Sequence, residues 1–291
     1  MPLTSMTAEE GCLTTNDVTS LRYHRVRVAQ SRGVVVIVHG VGDHQGRYGA
    51  LEAALHAAGF TIYGYDQRGH GRSSGERTDV RLFQNYIDDL DAVRDFVRAQ
   101  EPEDRRLFVY GHSLGSVVAL LHALYHPQHW QGVIASGCPL LPARAPGSWM
   151  QTLGHALAPL VPQLRLSLRI DVGDLTHDEQ AAAAYLRDPL IAQSVTLRWG
   201  TEFLSATGEL LREAARLTMP VLLLHGEADP VAHVEGSRLL YERIGARDKR
   251  LCIYPGLLHE LHNERPADGA RVFADIIHWL GSHTAAVAMP A

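Results

Sequence analysis

The pentapeptide Gly111-His112-Ser113-Leu114-Gly115 stands between an apolar run at residues 106–110 (RLFVY) and a helical stretch that reaches about His126. A strand that turns directly into a helix leaves few architectures open. The residue at the turn takes a strained backbone conformation, and its side chain is held above the end of the strand. A Cβ at either flanking glycine would collide with neighbouring backbone. The bare GxSxG pattern also fits a glycine-rich turn with a capping serine. The strand-to-helix context makes Ser113 the candidate nucleophile.

Further short apolar runs follow the same rhythm at residues 34–38 (VVVIV), 61–65 (TIYGY), 132–135 (GVIA), 221–225 (VLLLH) and 250–254 (RLCIY). Amphipathic stretches separate them, as expected for a parallel sheet with helices on both faces. Tyr48, Leu51 and Leu55 share one helix face that stops at Gly59; Tyr86, Leu90, Val93 and Val97 share another. Phe273, Ile276, Ile277 and Leu280 form the face of a terminal helix. Leu21 to Val28 alternates and reads as an antiparallel edge strand. The fold class is α/β, doubly wound and mostly parallel. Between Cys138 and Thr218 the rhythm breaks, with Pro139, Pro142, Pro146 and Pro162 interrupting a mostly helical stretch. The predicted organisation is an N-terminal extension at 1–20, a core at 21–137 and 219–281, a helical cap insertion at 138–218 and a flexible tail at 282–291.

Composition narrows the function classes. A chain of 291 residues with 46% hydrophobic and 20% charged residues supports one sizeable core. Its net charge of -5, with scattered Lys and Arg, gives no footprint of a nucleic-acid binder. Cys12, Cys138 and Cys252 form no CxxC spacing, which favours a reducing, cytoplasmic compartment over zinc or disulfide chemistry. The N-terminal residues MPLTSMTAEEG lack the basic and apolar regions of a secretion signal. No apolar run approaches the roughly 18–20 residues of a membrane span.

A serine nucleophile needs a base, and the base needs a carboxylate to orient it. Asp229, in His225-Gly226-Glu227-Ala228-Asp229-Pro230, lies on a loop beyond a strand end, where open α/β sheets build their sites. The alternatives are a helix N-cap role for Asp229, and Glu227 as the acid. His259 follows the next strand in Pro255-Gly256-Leu257-Leu258-His259-Glu260-Leu261-His262, with His262 one turn away as its rival. Among 17 histidines, the order Ser, Asp, His singles it out. The backbone amides of Leu114 and of Val41, in the glycine-rich His39-Gly40-Val41-Gly42 loop, are placed to receive an oxyanion. No HExxH or comparable metal-ligand spacing is present, so no metal and no cofactor is expected.

With these residues in order, the chain resembles the monoacylglycerol lipase and lysophospholipase branch of the α/β-hydrolases, of serine aminopeptidase S33 type, from about residue 21 to 281. Its segments HGVGDHQGRY (39–48), YDQRGHGRSSG (65–75), YGHSLG (110–115), HGEADPV (225–231) and YPGLLHELHNE (254–264) carry the resemblance. The resemblance implies hydrolysis of a carboxylic ester, with Ser113, Asp229 and His259 at catalytic positions and Val41 and Leu114 at oxyanion positions. Leu114 and Ser116 depart from the Met and Gly common after the nucleophile in this branch. Asp66, Arg68 and His44 belong to the shared pattern and read as scaffolding.

The substrate is expected to be a small ester or a lipid. In the cap, Trp149, Met150, Leu153, Leu157 and Leu160 recur at helical spacing, and the first four are the expected substrate-binding residues. The same apolar face would serve peripheral lipid contact or a homodimer, or pack on the core. Rival activities on the same scaffold are those of a thioesterase, lactonase, amidase or C–C hydrolase, or of a non-catalytic ligand-binding homologue.

Overall fold

The computed structural model describes residues 8–141, 147–168 and 170–284. Eight strands form one sheet in the order β1-β2-β4-β3-β5-β6-β9-β10. They are β1 (Ala8–Thr14), β2 (Ser20–Val26), β3 (Val34–Val38), β4 (Thr61–Tyr65), β5 (Leu107–His112), β6 (Gly132–Ser136), β9 (Val221–Gly226) and β10 (Lys249–Tyr254). β1 and β2 pair antiparallel, as do β2 and β4, and every other neighbour is parallel. This is the doubly wound sheet expected from the apolar runs.

Every residue of β3 through β6 is buried, which a sheet covered on both faces requires. Val34, Val36, Val38, Val109, Val133, Leu223 and their neighbours face one core, with α2 (Gln84–Gln100) and α3 (Leu114–Tyr125). Val35, Ile37, Phe108, Tyr110, Ile134 and Leu222 face the other, with α1 (Gly49–Ala57) and α8 (Pro266–Thr284). Successive strand residues thus feed opposite layers, the period of two that a pleated strand imposes.

The structure differs from the sequence reading at both ends. β2 is antiparallel but internal, because β1, drawn from the expected N-terminal extension, pairs outside it over seven residues. A polar, largely exposed strand such as AEEGCLT carries little periodic signal. At the other end α8 continues through Thr284, where His283 Nε2 lies 2.8 Å from Asp248; residues 285–291 lie outside the description.

Between β6 and β9 run α4 (Ser148–Leu157), β7 (Arg165–Ser167), α5 (Glu179–Arg187), β8 (Ser194–Thr196) and α6 (Leu197–Glu213). β7 and β8 pair into a small second sheet, not expected from the sequence. Polar contacts tie this cap segment to the core: Arg77 donates to the Leu190 carbonyl at 2.7 Å, Thr196 Oγ1 to Asp79 at 2.5 Å, and the Phe83 amide to Glu202 at 2.7 Å. α4 packs against α6. The last core helix, α7 (Val234–Arg243), follows β9.

Burial pushes the His70 and His262 imidazoles down to about 3 and about 4, and that of His112 well below its ordinary value of 6.5. The folded state therefore binds fewer protons than the unfolded chain. This contribution is complete above about pH 6.5 and is lost as pH falls toward the folded values. The urea midpoint should drop between about pH 7.5 and about pH 5. His262→Phe, which can keep the ring stacked 4.3 Å from Tyr48, should reduce that drop by on the order of 1–2 kcal/mol. An equal drop in the variant would show that His262 does not titrate as its burial requires.

Candidate active site

Ser113 occupies the turn between β5 and α3 with φ 51° and ψ -118°, a left-handed conformation rare for a residue with a Cβ. The turn is forced by close packing. A Cβ on Gly115 would lie 2.1 Å from the Val38 carbonyl oxygen, and one on Gly111 would lie 2.2 Å from the Gly115 oxygen. The Ser113 amide donates to the Ser136 carbonyl at 2.9 Å, and the Ser116 hydroxyl donates to the Ser113 carbonyl at 2.6 Å. Ser116, one of the departures from the family pattern, thereby braces the turn.

Asp229 lies on the loop after β9 with its side chain fully buried. Its Oδ1 accepts from the amides of Val231 and Ala232 at 2.8 and 2.9 Å, and its Oδ2 lies 2.7 Å from His259 Nδ1. Burial alone would raise this carboxyl; the His259 charge and the N–H donors around it hold it below the usual carboxylate range. The opposite balance acts on His259. Burial lowers it, but the Asp229 carboxylate outweighs burial and the imidazole is raised above 6.5. Glu227, the sequence rival of Asp229, is exposed. His262, the rival of His259, instead stacks on Tyr48.

Gly137, just past β6, has φ 58°, and a Cβ there would stand 3.1 Å from the His259 ring. The ring thus rests on bare backbone, a constraint that sequence reading missed because Ser-Gly after a strand reads as an ordinary turn.

Two cavities meet at Ser113, Val41 and Ile170. The larger, about 160 Å³, is mostly apolar: Leu114, Leu168, Trp199 and Phe203 line it. The smaller, about 20 Å³, includes His259, His112, Asp43, Arg47 and Glu260. Val41 and Leu114 therefore both border the space in front of Ser113. Of the four expected cap residues, Leu153 and Leu157 line neither cavity. They sit on α4, one layer outside α6, and are 48% and 36% exposed. The side chains of Trp149 and Met150 lie outside the described residues. The apolar wall comes instead from Trp199 and Phe203, one turn apart on α6, and from Leu168 and Ile170. The α6 spacing was visible in the sequence, but the Pro-bounded stretch before it drew the reading to α4.

Arg47 joins the two loops that border the smaller cavity. Its guanidinium lies 3.0 Å from Asp43 and 2.6 Å from Glu260, beside His259, and faces the Tyr185 ring of α5 at 4.8 Å. Burial would lower Arg47, but the two carboxylates hold it firmly protonated. Asp66 accepts backbone amides of Gln45 and Arg72, as a scaffold residue should. Arg68 bonds Asp89 and Asp17, and His44 bonds Asp188 of the cap segment.

A serine aminopeptidase, S33, family model matches residues 29–266. The chain belongs to this family. A monoglyceride lipase of Rattus norvegicus is 34% identical over 259 residues, covering 88% of this chain and 84% of that protein. A monoacylglycerol lipase of Mycolicibacterium smegmatis is 31% identical, covering 87% and 89%. Among solved structures, the Paleococcus ferrophilus monoacylglycerol lipase shares 33% identity with a TM-score of 0.82, covering 90% of this chain and 99% of that one. The α/β-hydrolase core of this S33 member is thus shared nearly end to end with lipases.

Among the described residues, Asp91 of α2, His122 in the last turn of α3 and His129 after it bring three metal-ligating atoms within 4.8 Å of one another. The Trp130 indole N–H donates to His122 Nδ1 at 2.8 Å. In the neutral ring the proton therefore sits on Nε2, which faces Asp91 and is closed to a metal.

The Arg47 cluster yields a stability prediction. Arg47→Met leaves Asp43 and Glu260 buried without their cation, and the unfolding free energy should fall by about 3–5 kcal/mol. Arg238→Met, which breaks an exposed pair with Glu235, should cost less than about 1 kcal/mol. Similar losses from urea titration of the two variants would contradict the ranking.

Proposed function

We propose that this protein is a carboxylic ester hydrolase of the monoacylglycerol lipase type, working through an acyl-enzyme on Ser113. The observation that carries the reading is the 2.7 Å contact from His259 to a buried Asp229, beside a strained serine where an apolar and a polar cavity meet. The lipases with which the chain shares most of its length support the substrate class.

In this cycle the Ser113 oxygen attacks the ester carbonyl while His259 takes its proton. Asp229 stabilises the imidazolium and holds the ring's Nδ1–H. The amides of Val41 and Leu114 receive the oxyanion, each donor being worth about 2.7–4 kcal/mol in comparable sites. His259 then protonates the leaving alcohol, and a water activated by the same ring releases the acid. Side chains and water supply every proton in the sequence, so it needs no metal or organic cofactor. The acyl chain takes the apolar cavity against Trp199 and Phe203, and the alcohol takes the polar side beside Arg47.

Wild-type protein is expected to hydrolyse p-nitrophenyl esters and a monoacylglycerol, and Ser113→Ala to lose at least about 10³-fold in kcat. Medium and long acyl esters should outperform acetyl. A folded wild type inert toward the whole series would favour a binding role for the pocket.

No helix among the described residues is long and apolar enough to cross a membrane. Access to lipid on this reading is peripheral, through the exposed side of the cap segment, where Leu160 and Leu164 are 77% and 51% exposed beside Leu153 and Val161. The three unpaired cysteines fit a cytoplasmic setting for such an enzyme. Leu160→Asp with Leu164→Asp should reduce flotation with phosphatidylcholine vesicles while leaving hydrolysis of a dispersed short ester intact. Unchanged flotation would remove this face from the proposal, and a monomer made from a wild-type dimer would assign it to self-association.

A further inference from the structure

His225 is the last side chain but one of β9, four residues before Asp229, and it is completely buried. Its Nε2 lies 3.0 Å from the Ala232 carbonyl oxygen and 3.2 Å from Asp229 Oδ2. Both neighbours only accept, so Nε2 must carry a proton. On the other side, Nδ1 lies 2.7 Å from the hydroxyl of Ser237, a buried residue on α7. With one proton on the ring, that hydroxyl donates to Nδ1 and fixes the tautomer.

Asp229 Oδ2 is therefore flanked by two imidazoles: His259 Nδ1 bonds it at 2.7 Å, and His225 Nε2, whose N–H serves the nearer Ala232 carbonyl oxygen, lies 3.2 Å away. We propose that His225 is a positioning residue of the hydrolytic reaction, and that Ser237, His225, Asp229 and His259 form one buried polar chain that sets the orientation and basicity of the general base. The inference rests on the reading of Ser113, Asp229 and His259 given above.

The physical argument has two parts. The carboxylate can rotate about its χ2 bond, and the two backbone amides on Oδ1 leave Oδ2 defined only by what donates to it. His225 supplies a donor that does not move during the reaction, whereas His259 must pass protons. An N–H dipole close to a carboxylate also draws charge from it, so the His225 N–H beside Oδ2 weakens its pull on the His259 proton. Sharing Oδ2 keeps the base from being held too tightly as imidazolium. The other ionisable groups facing His259 are Glu260 and His262 on its own loop, Asp43 on the loop after β3, and His112 at the end of β5; the polar contacts of His225 are instead Ser237, Ala232 and Asp229.

The test is the pH dependence of kcat/KM for a p-nitrophenyl ester, from about pH 5 to about pH 9, in His225→Leu, His225→Gln and Ser237→Ala. Wild type should lose activity as pH falls through the raised His259 value, since the protonated ring cannot act as base. In His225→Leu the acid limb should move up by about half a unit or more, and kcat should fall by about 10-fold to 100-fold. His225→Gln, whose amide again offers one donor and one acceptor, should restore the limb and most of kcat. Ser237→Ala should move the limb in the same direction by less. A His225→Leu limb that coincides with wild type, or a glutamine variant no better than leucine, would make His225 a packing residue and overturn the inference. Asp229→Asn and Ser113→Ala serve as the reference: if they retain turnover, the reading of the site itself fails, and if they abolish it, the His225 series judges this inference alone.

Discussion

The approach of Gly115 to the carbonyl oxygen of Val38 governs the rest of this molecule. With no room for a Cβ there, α3 can start directly against the end of β3, and the chain between β5 and α3 must fold back within one residue. Ser113 absorbs that reversal in a left-handed conformation that β-sheet and helix propensities both resist. The cost is met by the two apolar layers on either face of the sheet, which hold β3, β5 and β6 in register. Because the same turn orients the Leu114 amide and crowds the Gly40–Val41 loop, the position of the serine and that of these two backbone segments are one structural decision.

Charge is organised around this point in two buried groups. Asp229 is held by backbone amides and two imidazoles, and Arg47 holds Asp43 and Glu260. They stand on different loops, yet Glu260 follows His259 directly, so the Arg47 cluster also fixes the segment from which His259 projects. Both groups satisfy the requirement that buried charge be paired, and both use loops at the carboxyl ends of strands, where hydrogen-bonding groups are free of the sheet.

Much of this was legible in the sequence, for identifiable reasons. The buried strands read clearly because five-residue apolar runs such as VVVIV have few other uses, and β3 and β4 have the boundaries expected. Ser113, Asp229 and His259 were singled out by the order of three motifs, each placed after a strand. β1 was missed because an exposed polar strand has no apolar period, and the β7–β8 pair because three-residue strands have no pattern at all. Leu153 and Leu157, expected at the substrate, line neither cavity for a different reason. Trp149, Leu153 and Leu157 have the spacing of an apolar face, but spacing does not say which layer a helix occupies. His225 and Gly137 escaped because their roles depend on neighbours remote in sequence, Ser237 in one case and His259 in the other.

The unequal sizes of the two cavities at Ser113 carry a consequence for turnover. The polar one, at about 20 Å³, holds little more than one water. Its outer wall is made by the side chains of Ile170, Leu175 and Tyr185, all from the cap segment, and its inner wall includes Arg47, held by Asp43 and Glu260. Any group larger than water on that side therefore needs the apolar cap residues to give way, since the core side is fixed by paired buried charge.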